Sequence, residues 1–109
     1  MKRGEIWTAS GSGAYTGKPR PVVVLQDDLF SETDSITVCP FTSDPTDLPL
    51  FRIAIQPTEG TGLRAESRIM ADKVTTVPRS KLGARVGRLA DRDLLRLNRA
   101  VLVFLGLVN

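Results

Sequence analysis

Arg20 stands between two prolines, in Lys18-Pro19-Arg20-Pro21. Each proline fixes its own φ and biases the residue before it toward extended backbone, so Lys18 and Arg20 are presented from a stiffened loop end. A guanidinium held this way can grip a phosphate through two parallel hydrogen bonds at reduced ordering cost. A plainer reading also fits: the prolines blunt the entry to a strand and Arg20 pairs with a carboxylate. Cys39-Pro40-Phe41-Thr42-Ser43-Asp44 sets two hydroxyls just past an apolar run, where they can donate to a phosphate or, together with Asp44, close a turn before Pro45. Ser67-Arg68-Ile69-Met70-Ala71-Asp72 brings an acid to the end of another such run, a position that suits a turn former as well as an acid–base group.

What is missing narrows the chemistry. The sequence contains no histidine and one cysteine, Cys39, which removes the usual imidazole base, a Cys/His zinc site and an internal disulfide. An enzyme built from this chain must work with Arg, Lys, Asp, Glu, Thr, Ser or Tyr. The net charge of +3 is unevenly placed. Residues 1–50 carry four basic and seven acidic side chains, residues 51–109 eleven and five, so the second half is the better polyanion surface.

The elements that must position these residues follow from punctuation and period. At 109 residues the chain is sized for one domain, 1–109. Its longest apolar run, Ala100 to Val108, is far short of the roughly 20 residues of a membrane-spanning helix, so a soluble, cytoplasmic protein with no membrane association is expected. Gly and Pro divide the first eighty residues into short β-branched or aromatic pieces: Gly4–Ala9, Pro21–Gln26, Ser35–Phe41, Phe51–Ile55, Ser67–Ala71 and Lys81–Arg88, with a brief extended piece near Val74–Val77. Pro21-Val22-Val23-Val24-Leu25 lacks alternation and reads as a central strand covered on both faces; Ile53 and Ile55 alternate with Ala54 and Gln56 as in a half-exposed one.

After Leu89 the pattern changes to three- and four-residue spacing. Leu94, Leu97, Val101, Phe104 and Leu105 form one helical stripe, Asp91 and Asp93 favour the helix start, and Gly106 supplies the stop. Arg92, Arg96 and Arg99 form the solvated face. The expected fold is mainly β with one C-terminal helix, a small barrel or sandwich whose core holds Ile6, Val22, Val24, Ile36, Val38, Ile53, Ile69 and Val86. Trp7 and Phe41 anchor that core, whereas Tyr15, in a Gly/Ser loop, is the better candidate for stacking on a base.

In order along the chain, Arg3-Gly4-Glu5-Ile6-Trp7, Lys18 through Leu25, Pro40-Phe41-Thr42-Ser43, Ala71-Asp72-Lys73-Val74-Thr75-Thr76-Val77, and Gly87-Arg88-Leu89 before a helix ending Leu105-Gly106-Leu107 resemble the MazF/PemK family of toxin endoribonucleases. The resemblance implies an SH3-like barrel with a C-terminal helix, a homodimer, and metal-independent, cofactor-free cleavage of single-stranded RNA, held inactive by an antitoxin. It implies catalytic roles for Arg20, Thr42 and Asp72, with RNA contacts from Lys18, Tyr15, Ser43, Arg68 and Lys73. RNA cleavage by its own 2′-hydroxyl needs a proton acceptor, a proton donor to the leaving 5′-oxygen, and cations for the crowded phosphorane; a side-chain set without histidine can meet this. The chain departs from the family in three places: Met70 stands where PemK-type members carry an arginine two residues before the acid, Lys73 replaces a glutamine, and Tyr15 a glutamate. Two other readings follow from the same fold: a toxin that binds a protein such as gyrase without catalysis, and a degenerate member that binds RNA or an antitoxin without cutting.

Overall fold

The computed structural model describes residues 1–10 and 18–109; Tyr15 lies outside the described residues. Seven strands and one helix follow in order: β1 Glu5–Ala9, β2 Arg20–Val24, β3 Ser35–Thr42, β4 Arg52–Ile55, β5 Ser67–Met70, β6 Thr75–Pro78, β7 Leu82–Arg88 and α1 Asp91–Phe104. All pairings are antiparallel and run β4-β5-β3-β2-β1-β7, with β6 also on β3. The path leaves the sheet open between β4 and β7 among the described residues, where the sequence reading expected a barrel. Part of that gap is spanned by the loop after β4: the Arg88 N–H donates to the Gly60 carbonyl at 2.9 Å, and the approach there is so close that a Cβ on Gly87 would lie 2.2 Å from the Thr61 oxygen.

β3 is the hub. Along one edge it pairs with β2 (Val22↔Pro40 to Val24↔Val38); along the other it pairs first with β6 (Ser35↔Pro78 to Val38↔Thr75) and then with β5 (Phe41↔Ile69, Thr42↔Arg68). Pro40 sits inside this central strand, which a proline tolerates only where no ladder donor is needed. Thr37 turns its backbone toward β2, its carbonyl accepting from the Leu25 N–H at 3.0 Å. By alternation Pro40 turns its nitrogen to the opposite edge, into the step between β6 and β5.

Two apolar clusters lie on opposite faces of the sheet, where the sequence reading pooled them into one core. Ile6, Val23, Cys39, Phe41, Ile53, Ile55 and Ile69 pack beneath α1, whose Leu97 and Ala100 are buried with Leu94 and Val101 at the margin. Ala9, Val22, Val24, Ile36, Val38 and Leu82 form the second, closed by Met1, Trp7 and Val77. That explains the unbroken Val22-Val23-Val24 run: alternate residues enter different clusters. Val86 is only half-buried. The helix begins and ends near where its charge pattern and Gly106 (φ +75°) place it, yet Phe104 and Leu105 are 48% and 54% exposed. The buried part of the stripe therefore ends at Val101, and in the last turn Phe104 touches the edge of the sheet at Phe51. Asp93, in the first turn, is buried and held by Arg96 at 2.8 Å.

Candidate nucleic-acid interface

Of the sequence-predicted residues, Thr42, Arg68 and Asp72 lie at the end of the sheet where β3 hands over from β6 to β5. Thr42 and Arg68 are direct cross-strand partners, and Arg68 in turn faces Ala54 of β4. Cross-strand partners share a face, and so do residues two apart on one strand, so Thr42, Arg68 and Arg52 lie on the same side, opposite the α1 cluster. The β2–β3 pairing ends at Val22↔Pro40, and Arg20, two residues before Val22 and paired with Ala9 of β1, lies on the face of Val22 and Val24. Arg20 opens β2 and is exposed, with Lys18 exposed just ahead of it. Arg20, Arg68 and Arg52 thus share the face of Thr42, with Arg68 directly opposite it.

Thr42 ends β3, and its hydroxyl oxygen accepts from the Asp44 N–H at 3.1 Å. Among the described residues its own O–H donates to no protein group, so it can donate to a ligand. Asp44 caps the next turn, accepting from the Thr46 N–H at 3.0 Å and the Thr46 hydroxyl at 2.7 Å, and these bonds hold its carboxyl below the usual range. The turn reading of Ser43 and Asp44 accounts for this segment, with Ser43 left exposed beside Thr42. Arg68 is half-buried, 4.0 Å from Glu66.

Asp72 lies in a 3-10 turn, Ala71–Lys73, directly after β5. Its two carboxylate oxygens accept from Nε and Nη2 of Arg52, each at 3.2 Å, and both side chains are only 14% exposed. The Arg52 hydrogen bonds hold the Asp72 carboxyl below the ordinary carboxylate range. Asp72 is therefore a weak proton acceptor and a firm anchor. Lys73 is exposed beside it and adds to the local positive field.

Arg52 is the site residue that sequence reasoning missed. The signal was present in the alternation of β4: if Ile53 and Ile55 point to the core, Arg52 points with Ala54 to the face of the cations. Trp7, by contrast, is structural as expected, its indole N–H donating to Glu5 at 3.1 Å while its ring closes the second cluster.

These elements make a small antiparallel sheet that carries one C-terminal helix, with Thr42, Arg68 and Arg52 on one face. Residues 2–105 match the model of the PemK-like, MazF-like toxins of type II toxin–antitoxin systems, and the chain belongs to that family. It is 62% identical over 109 residues, the whole of both chains, to a protein named probable endoribonuclease MazF from Mycolicibacterium smegmatis. Among solved structures, an endoribonuclease in complex with its cognate antitoxin from Mycobacterial species superposes with a TM-score of 0.82 at 19% identity, covering 100% of this chain and 98% of that one. The Mycobacterium tuberculosis toxin MazF-mt6 gives 0.79 at 23% identity, over 94% and 96%. The expected mainly-β fold with a terminal helix is thus that of these toxins.

Proposed function

We propose that this toxin is a metal-independent endoribonuclease that cuts single-stranded RNA, messenger RNA above all, at selected sequences, and so inhibits translation. The observation that carries the reading is the Thr42–Arg68 cross-strand pair, with Arg20 on the same face at the start of β2, in a chain 62% identical to a probable endoribonuclease. In the reaction the 2′-oxygen bonds to phosphorus and passes its proton to solvent water, the bond from phosphorus to the 5′-oxygen breaks, and the leaving oxygen gains a proton, giving a cyclic phosphate and a 5′-hydroxyl. Arg20 stabilises the phosphorane and delivers the proton, Thr42 positions the scissile phosphate, and Asp72 orients the site. Lys18, Ser43, Arg68 and Lys73 hold the strand, and Tyr15 stacks on a base. Charge stabilisation comes from guanidinium groups, the role a metal ion fills in other nucleases.

The protein acts in the cytoplasm, where its substrate is. It works as a homodimer restrained by a cognate antitoxin, a reading supported by the exposed apolar residues Leu102, Phe104, Leu105, Leu107 and Val108 at the end of α1 and by the excess positive charge of residues 51–109. No helix among the described residues is long and apolar enough to cross a membrane.

The test is cleavage of a long mixed-sequence RNA in EDTA. Wild-type protein is expected to cut at reproducible positions and Arg20→Ala to cut about 10²–10³-fold more slowly. Undiminished cleavage by Arg20→Ala removes that residue from the mechanism, and RNA binding without cuts by the wild type favours a non-catalytic member.

A further inference from the structure

We propose that Arg52 is a phosphate-binding residue of the RNA site, and that Asp72 acts as its positioning residue and not as the proton acceptor. The inference deepens the endoribonuclease reading above and rests on it for the identity of the ligand. Three observations carry it.

The first is placement. Arg52 faces Met70 across the β4–β5 ladder, two residues along from Ala54, the partner of Arg68. Arg68 faces Thr42, so Arg52 shares one face with Arg68 and Thr42 across β3, β5 and β4. Both Arg52 and Arg68 lie close enough to Asp44 to act on its charge, which ties the two arginines to the same patch of surface.

The second is orientation. The guanidinium is fixed on one edge by both Asp72 oxygens and on one face by Phe51, whose ring centroid lies 6.0 Å from the Arg52 Cζ. Phe51 itself rests on Phe104 of α1 at 5.8 Å. A cation clamped between a carboxylate and an aromatic ring has already given up its rotamer freedom, so a ligand meets a preformed donor group.

The third is unused capacity. A guanidinium has five N–H donors; Asp72 takes one from Nε and one from Nη2, and among the described residues no acceptor takes the others. A guanidinium that gives one edge to a carboxylate keeps the N–H groups of its other edge for an oxyanion. Asp72, its charge committed to Arg52, holds that fork in place.

Two measurements test this. Binding of a 2′-O-methylated single-stranded RNA, which has no nucleophile and cannot be cut, is followed against salt for wild type, Arg52→Gln and Arg52→Lys, with melting curves confirming that each is folded. Losing one phosphate contact is expected to reduce the slope of log K against log[salt] by about 0.7 in Arg52→Gln, and Arg52→Lys, which keeps the charge, is expected to restore the slope but not the full affinity. An unchanged slope and affinity in folded Arg52→Gln overturns the proposal. Because this RNA is never cleaved, the result stands apart from whether the protein is a nuclease.

Cleavage rates then separate the roles of the two residues. Asp72→Asn is expected to slow cleavage no more than Arg52→Gln, to leave the acid limb of the pH–rate profile in place, and to add nothing in the double variant. A further loss of tenfold or more in the double variant, or disappearance of the acid limb in Asp72→Asn, assigns Asp72 a proton-transfer role of its own and overturns that half of the proposal.

Discussion

At the scale of single residues, the Arg52–Asp72 pair decides how the acid at the end of β5 behaves. A carboxylate that accepts two hydrogen bonds from one guanidinium is stabilised in its charged form, and Asp72 is shifted downward for that reason. The pair then contributes to stability wherever Asp72 is ionised in the folded protein and would be so in the unfolded chain, that is, above the ordinary aspartate value of about 3.9. The contribution falls away as pH drops through the lower folded value. Chemical denaturation of wild type and Asp72→Asn is expected to show a gap of about 1–3 kcal/mol from pH 7 down to about pH 5, narrowing below about pH 4; a gap that widens on acidification contradicts the ion pair. Arg20, Thr42 and Asp72 were visible as candidates from local pattern, prolines around the first and strand ends for the other two, but only the family resemblance suggested roles for them. Arg52 was not visible, because its significance lies in its partners on β5 and the following turn, which no local pattern contains.

At the scale of elements, the sequence placed strand boundaries within about two residues, since Gly and Pro mark where ladders end. It did not show that the loop between β4 and β5 reaches across to β7. That contact depends on two glycines meeting: Gly62 has φ +69°, and a Cβ there would lie 2.2 Å from the Val86 carbonyl, while one on Gly87 would meet both Thr61 and Gly60 backbone oxygens. Gly87→Ala is expected to cost about 1–3 kcal/mol through forced backbone displacement, visible as a lowered melting temperature. Gly60→Ala, whose Cβ would meet only the Thr58 hydroxyl at 3.9 Å, serves as the near-neutral comparison. Equal melting of the two variants would show that the loop is not clamped to β7. The helix illustrates the opposite limit. Its period was clear from sequence, but period alone cannot say where the sheet beneath it ends, so Phe104 and Leu105 were assigned to a core that stops a turn earlier.

At the scale of the whole molecule, the two apolar clusters occupy opposite faces of one sheet. Leu29 and Phe30 are exposed after β2, and Leu102, Phe104, Leu105, Leu107 and Val108 leave exposed apolar surface in the last turn of α1 and just past it. A groove of about 400 Å³ runs beside them, lined by Leu50, Ile53, Ala100 and Val103 together with Arg96 and Arg99. Exposed apolar surface grouped this way is typical of a contact face. If that face joins two copies, sedimentation at micromolar concentration is expected to give a dimer for wild type and a monomer for Leu107→Asp, with the far-ultraviolet spectrum unchanged; a monomeric wild type removes the dimer from the functional reading. Composition alone foreshadowed the charge on the second half of the chain but not its focus, since the cations that matter come from β2, β4 and β5 and meet only through the pairing of those strands with β3 and one another.

That meeting depends on where one strand stops and the next begins along a shared edge, and Pro40 marks the place. A residue with no N–H offers a sliding neighbour only its carbonyl, so β6 forgoes one ladder bond by creeping past Val38 and β5 forgoes one by backing over Phe41. Pro40 thus works as a detent in the sheet: it indexes β5 against β3, and with it the one alignment in which Arg68 stands opposite Thr42.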